Sequence, residues 1–354
     1  IIMQTYGLVP SRNLIMAQRE MLAHAEPITV LSSFGIQKTM PQNRTDTLVM
    51  RRALPIDYST STTNGSYGAP QVDPTNYQLQ EGVTPSAKTI TYQDVSVVLQ
   101  EYGVLLKLSS KAEATYEDNI PADMTQLVGE HMATLQEMIA YNAVKGGTNV
   151  MYQGGTSRAT VAAAPTLNKL RQAARMIESA HGKRVTKKLA AGPNFGTSAI
   201  LPSYLVFMHT DMESDVRNLP GFTPMVEYAT GTTVHEREIG AVEQFRFITS
   251  PYLRPFLNAG ATAAANAFLA AGIASTGSNA LDVYPLLIVA EEAWGQLALK
   301  GLDAVKPIYL PAKQVNHANP LGRFGYVGAQ FMKAAVRLNE QWMVRYECAA
   351  TYLS

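Results

Sequence analysis

The sequence predicts an α+β fold, and three observations carry that prediction. Residues 121–145 place apolar side chains at helical spacing over about seven turns. Other stretches, among them residues 89–99 and 342–348, alternate with the period of two that marks strands. Helices and strands do not follow one another regularly, so the chain is not built from βαβ units.

Length and composition bound the possibilities. The 354 residues, 46% of them apolar, are enough for about two cores. Only 16% are charged, against about 25% in an ordinary soluble domain. Either Ser, Thr, Asn and Gln coat the surface, or much of it is covered by partners, because interfaces lose charge at their centres. A net charge of +1 argues against a protein that grips nucleic acid by neutralising phosphates. It argues equally against electrostatic membrane anchoring. Cys348 is the single cysteine; no intrachain disulfide is possible, a reducing compartment fits, and a small buried side chain is expected. The opening Ile1-Ile2-Met3-Gln4 lacks the basic and apolar regions of a signal peptide. Residues 257–281 carry no charge but are mainly Ala, Gly, Ser, Thr and Asn. They fall short of the hydropathy of a membrane span and read as a small-residue loop.

Taken in order, residues 1 to about 45 read as an extended arm with little core of its own and a short helix at 16–24. Thr45 to Ala53 reads as a strand. Asp57 to Pro85 is rich in Ser, Thr, Asn, Gly, Pro and Gln, and no Lys or Arg occurs between Arg52 and Lys88. A polar insert of that length is functional or disordered. Beyond it Thr89, Thr91, Val95, Val97 and Leu99 share one parity, and Tyr102 to Leu108 continues as strand. Two strands around a polar tip predict a projecting hairpin. An isolated hairpin is barely stable in water, so this one is expected to lie on a neighbour.

The strongest helix follows, with Asn119 as its cap, Pro121 in the first turn and Gly146-Gly147 at its end. Met124, Leu127, Val128, Leu135, Met138 and Ile139 form its predicted apolar face, and its length is about 37 Å at 1.5 Å per residue. A second helix is expected after Thr166, with Leu167, Leu170, Ala174 and Ile177 as its stripe and Gly182 past its end. Strands are predicted at 204–208, 242–249 and 283–290. Ala334, Val336 and Leu338, followed by alternation through Trp342, Val344, Tyr346 and Cys348, predict a closing hairpin.

No phosphate-binding loop, nucleophile elbow, dinucleotide fingerprint or paired CxxC occurs. His209-Thr210-Asp211-Met212-Glu213, with Asp215 beyond, is the one cluster with acid–base or metal-ligand character. It reads better as a helix start after the strand 205–208, with Thr210 as N-cap and Glu213 at N3 of a capping box and Asp211 favoured by the helix dipole. His131 reads as a core-edge or interface residue. His24 with Glu20, and His235 with Glu238, read as surface ion pairs. Lys183, Arg184, Lys187 and Lys188 form a small basic run that reads as a solvated turn.

Several peptides occur in a familiar order. They are Met3-Gln4-Thr5-Tyr6-Gly7, Ala25-Glu26-Pro27, Phe34-Gly35, Glu81-Gly82-Val83-Thr84-Pro85 and Thr91-Tyr92-Gln93-Asp94-Val95. Gly146-Gly147-Thr148-Asn149-Val150, His209 to Glu213 and Pro220-Gly221-Phe222-Thr223-Pro224 follow. Asp282-Val283-Tyr284-Pro285, Pro320-Leu321-Gly322 and Gly325-Tyr326-Val327-Gly328 complete the series. As an ordered set they resemble the major capsid proteins of tailed bacteriophages typified by the N4-like phages.

The resemblance implies the Hong Kong 97-type capsid fold. It implies an N-terminal arm (1–50), an extended E-loop hairpin (51–108) and a peripheral domain (109–185) with a spine helix at about 119–146. An axial domain (186–300) and C-terminal strands (301–354) complete it. Tyr58, Tyr67, Tyr77, Leu79 and Val83 are then expected to make intersubunit contacts from the E-loop. The implied function is a structural shell of hexamers and pentamers around double-stranded DNA, with no catalytic residue, cofactor or metal. The implied partners are further copies, a separate scaffolding protein, a portal and a decoration protein, with assembly in the bacterial cytoplasm and no membrane. Two rivals are an encapsulin-like nanocompartment and a metal-dependent hydrolase centred on His209.

Overall fold

A computed structural model of the chain describes residues 29–43, 45–56, 73–115, 119–190, 196–228, 233–262, 267–275, 279–300, 308–312, 314, 315, 317 and 319–353. The predicted helix at 16–24, His24, Tyr58, Tyr67 and most of the polar tip lie outside the described residues.

Short strands and one long helix follow each other along the chain. A single turn at Leu31–Ser33 leads into β1 (Ile36–Met40). β2 (Thr47–Ala53) and β3 (Tyr92–Val98) flank the polar insert, and β4 (Gln100–Ser109) continues from β3. Next come α1 (Ser110–Thr115), the long α2 (Ile120–Lys145), β5 (Val150–Tyr152) and α3 (Leu167–Ser179). The following region holds β6 (Val185–Ala190), β7 (Gly196–Met208), α4 (Glu213–Arg217), β8 (Phe222–Pro224), β9 (Glu238–Val242) and β10 (Phe245–Thr249). β11 (Tyr284–Val289), β12 (Trp294–Leu299), β13 (Ile308–Leu310), β14 (Phe324–Arg337) and β15 (Met343–Cys348) close it.

Two large sheets and a separate two-stranded one, β2 with β3, organise the described elements. The larger runs β5-β15-β11-β7-β10-β9-β8, with β6 also on β7. The smaller is built on β14, which holds β12 and β13 on one side and β4 on the other, with β1 outside β12. In the larger sheet alternate residues feed opposite cores, as the strand period requires. Tyr204, Val206, Met208, Leu286 and Ile288 pack with Leu170, Ala174 and Ile177 of α3. Leu205, Phe207, Leu287 and Val289 pack on the other face with Ala140, Tyr141 and Val144 of α2. Covering on both faces explains why β10 and β11 are buried at every position.

The long helix joins the two sheets. Its first half buries Met124, Val128 and Met132 against Leu108, Val327 and Phe331 of the smaller sheet, and its second half covers the larger one. Its 26 residues span about 39 Å. Leu127 departs from the predicted stripe and stands 54% exposed. The stripe turns along the helix because its two halves pack on different sheets.

Two further expectations are corrected. β14 and β15 do not form a hairpin; Glu340–Trp342 turns the chain from the smaller sheet into the larger. Within the expected arm, Val30 and Leu31 are fully buried and β1 pairs in parallel with β12, so this part belongs to the core. In the described parts of 257–281 no strand forms, and isolated bridges anchor the loop: Phe256 to Val283, Thr262 to Ala280, Gly272 to Thr351 and Ala274 to Leu281. Cys348 is buried as expected.

Candidate intersubunit surface

The hairpin predicted around the polar insert is present. β2 and β3 pair antiparallel from Thr47 opposite Val98 to Ala53 opposite Tyr92. One face of this stem is apolar for a local reason: Leu48, Met50, Val97 and Leu99 pack with Met40, Leu297 and Ala334 of the smaller sheet. The other face is polar and braced across the strands. Arg51 Nε and Nη2 donate to Asp94 Oδ1 and Oδ2, each at 2.7 Å, and its guanidinium lies over the Tyr92 ring. Arg51 holds the Asp94 carboxyl below the usual carboxylate range. Arg52 donates to Gln93 beside it.

Past the stem the support ends. Every residue from Asp73 to Asp94 is exposed. Local turns give this stretch its shape: the Asp73 side chain accepts from the Thr75 amide at 3.0 Å, and Gly82 takes φ +77° in a turn with open space around it. Tyr77, Leu79 and Val83 are exposed by 42, 75 and 60%, and Ile90 joins them at 64%. Tyr77 accepts a hydrogen bond from Lys88 Nζ at 2.9 Å. Tyr77, Leu79, Val83 and Ile90 thus stand on a braced stem outside the hydrophobic cores of the described residues.

A second structural feature fixes where the N-terminal segment enters the body. Glu137, fully buried on α2, accepts from the amides of Leu31 at 2.8 Å and Ser32 at 2.9 Å. Gln296 Nε2 donates to the carbonyls of Leu31, Ser32 and Phe34. Gly35, at φ +84°, turns so close to Trp294 that a Cβ would lie 3.0 Å from the indole. Sequence reasoning missed this clamp. Its signal was a glutamate at 137 in register with Ala140, Tyr141 and Val144 on one helical stripe.

The His209 segment is a helix start, but with a different cap. His209 is the N-cap, its Nδ1 accepting from the Asp211 amide at 3.2 Å. Thr210 is the first residue of a short turn, Thr210–Met212, that precedes α4. Glu213 pairs with Arg217 four residues on instead of reaching back to Thr210. Asp211 Oδ2 accepts from the Tyr284 hydroxyl at 2.8 Å. Burial holds the His209 imidazole below its ordinary pKa, with Asp211 opposing. Among the described residues no group of three or more His, Cys, Asp and Glu side chains is placed to hold a metal. His235 does not pair with Glu238; its Nδ1 accepts from the Arg237 amide, and its ring lies 6.0 Å from that of Phe34. Glu238 instead pairs with buried Arg246. Arg184 pairs with Glu178 across the turn that follows α3.

Among the described residues no helix is long and apolar enough to cross a membrane. No curated protein matches the chain. Solved structures share its whole length at low identity. A chain of the capsid of Ralstonia phage GP4 matches with TM-score 0.63 and 10% identity over 99% of both chains. One from the head of Helicobacter pylori bacteriophage KHP40 matches at 0.59 and 10% identity, covering 99% of this chain and 98% of that one. One from the capsid of Cyanophage P-SCSP1u matches at 0.58 and 12% identity, covering 96% and 94%. These likenesses give the fold, the Hong Kong 97-type capsid fold. The model of the family described as phage capsid protein matches residues 93–306, more than half of the sequence. With the fold and the family in agreement, the chain belongs to the phage capsid protein family and is a structural protein of a virion shell.

Proposed function

We propose that this chain is the major subunit of a tailed-phage head and that it acts by assembly alone, without catalysis. Copies gather into hexamers and pentamers of an icosahedral shell around double-stranded DNA. The observation that carries the reading is the hairpin: a braced stem holds Tyr77, Leu79 and Val83 exposed, outside every core of the described residues. In this reading residues 1–50 hold the arm, which joins the core from Val30 on, 51–108 are the E-loop, 109–185 the peripheral domain with its spine, 186–300 the axial domain and 301–354 the closing strands. Tyr58 and Tyr67 act with the three described side chains on the neighbouring copy. The ordered peptides of the sequence support the N4-like branch.

A separate scaffolding protein, a portal and a decoration protein complete the partner set, and assembly takes place in the host cytoplasm. A near-neutral chain suits a wall that contains DNA without gripping it. The test is direct. Purified protein, with and without scaffold, is followed by light scattering and negative-stain imaging across a range of salt. Closed shells or ring-shaped capsomers are expected. A monomer under every condition overturns the reading. Shells that package a protein cargo, and no DNA, would favour the encapsulin-like alternative.

A further inference from the structure

Six arginines among the described residues each pair with a different carboxylate. Arg51 with Asp94, Arg171 with Glu243, Arg184 with Glu178, Arg217 with Glu213, Arg246 with Glu238 and Arg337 with Glu340 are such pairs. The end of α2 breaks the pattern. Glu347 is fully buried and serves two guanidinium groups at once. Arg158 Nε and Nη2 donate to its two oxygens at 2.7 Å each, and Arg345 Nε lies 2.8 Å from its Oε1. A third cation, Lys145, completes the group. Its Nζ lies 3.9 Å from the centre of the Phe256 ring, and the Arg158 guanidinium lies 3.5 Å from the same centre.

Three cations therefore surround one ring and one carboxylate. The end of α2 absorbs part of the excess, since Arg345 Nη1 donates to the Lys145 carbonyl and the helix terminus carries partial negative charge. Among the described residues the Lys145 ammonium donates only to a carbonyl, that of Arg254 at 3.4 Å, and the one carboxylate that acts on it, Glu347, already serves both arginines. Burial, followed by Arg158 and Arg345, holds Lys145 below its ordinary pKa. The group is open to approach: Arg158 keeps 32% of its side chain exposed, Lys145 is half-buried and Arg254 beside them is exposed.

We infer that Lys145 and Arg158, flanking Phe256, form a receiving site for a carboxylate side chain of a second copy of this chain. Two observations favour a protein carboxylate over a nucleic-acid phosphate. Leu257, next to the ring, is 65% exposed, and an apolar residue beside a charged pocket fits a protein interface. The chain also holds 29 basic and 28 acidic residues, a near balance that lets an identical copy supply the carboxylate, whereas a phosphate-binding wall is expected to be strongly basic. A half-open site of this kind adds specificity and register to a contact.

The inference rests on the shell reading, and the experiment separates the two. Lys145→Gln, Lys145→Glu and Lys145→Arg are made in the full chain and compared with wild type in unfolding and in assembly. Lys145→Glu supplies an internal carboxylate to Arg158 and turns a neighbour's carboxylate away. All three variants are expected to unfold within a few degrees of wild type. Lys145→Arg is expected to assemble normally. Lys145→Glu is expected to raise the protein concentration needed for assembly by about tenfold or more, since like charges brought together at an interface oppose association. Lys145→Gln is expected to fall between them and to lose part of the salt dependence of assembly. Normal assembly of Lys145→Glu overturns the site. Normal assembly with reduced retention of duplex DNA also overturns it and assigns the cluster to phosphate. A wild-type protein that never assembles removes the shell reading, and this inference with it.

Discussion

Glu137 Oε1 accepts the amide of Leu31 at 2.8 Å across 106 residues of sequence, in a fully buried setting. That bond, with its companion to Ser32, ties the entry of the N-terminal segment to the middle of α2. A buried carboxylate is costly unless it is hydrogen-bonded, so the pairing works in both directions. Glu137→Ala leaves two amides without their acceptor and is expected to cost about 2–6 kcal/mol, from 1–3 kcal/mol for each unsatisfied buried group. Glu137→Gln keeps one acceptor and is expected to cost less. Denaturant unfolding measures both, and equal, negligible losses would show that the clamp is dispensable.

The hairpin yields the opposite prediction, a large effect on assembly with little on folding. Leu79→Ser with Val83→Ser changes side chains that are already 75 and 60% exposed. Surface changes of this kind stay within about 0.5 kcal/mol. Replacing residues 59–80 by a short Gly-Ser turn is expected to behave alike, because the stem keeps Leu48, Met50 and Val97 in the smaller core. Both variants should unfold like wild type and assemble poorly. A variant that unfolds outright would make the tip part of the core. One that folds and assembles normally would leave the N-terminal segment and axial contacts to hold the shell.

The helix start after β7 distinguishes two adjacent residues. His209→Ala removes the side chain that accepts the Asp211 amide and is expected to cost about 0.5–2 kcal/mol, the usual loss for a cap. Thr210→Ala removes no capping bond from this turn and is expected to cost less. EDTA should leave both proteins unchanged. A stoichiometric divalent ion that disappears in His209→Ala would overturn the structural role.

What was legible in the sequence was whatever one element decides by itself. Apolar spacing marked α2 and α3, and parity set the inward face of the hairpin at Val95, Val97 and Leu99. What escaped depended on contacts between distant segments. Leu127 fits the helical stripe by spacing, but it faces outward because the two halves of α2 pack on different sheets. Met343 to Cys348 alternates as an ideal hairpin partner for 334–338, yet β11 takes it as neighbour. Parity fixes which face a strand buries and says nothing of which strand lies beside it. The clamp at Glu137 was hidden for a related reason. A glutamate on a mostly apolar helical face looks like a surface residue until its partners, two amides in the N-terminal segment, are in place.

The two half-buried histidines predict how stability responds to acid. Burial holds His209 and His235 below their ordinary pKa, so the fold favours their neutral forms. Both also use Nδ1 as an acceptor, from Asp211 and Arg237 amides, which protonation of that nitrogen would end. The sign follows from linkage: the unfolded chain binds more protons than the folded one in this range. Their contribution is fully present above the unfolded value, about 6.5, and is lost as the pH falls through the lower folded values. Stability should therefore decline as acid is added from about pH 6.5, beyond what the carboxylates cause at lower pH. His235 lies against Phe34, close to where the N-terminal segment enters, so the decline should be accompanied by faster amide exchange near residues 29–35. The measurement is denaturant unfolding at half-unit steps between pH 7.5 and 5, for wild type and for His209→Gln with His235→Gln. The double variant is expected to start less stable and to show a flatter slope. An unchanged slope would mean that the acid response comes from other groups.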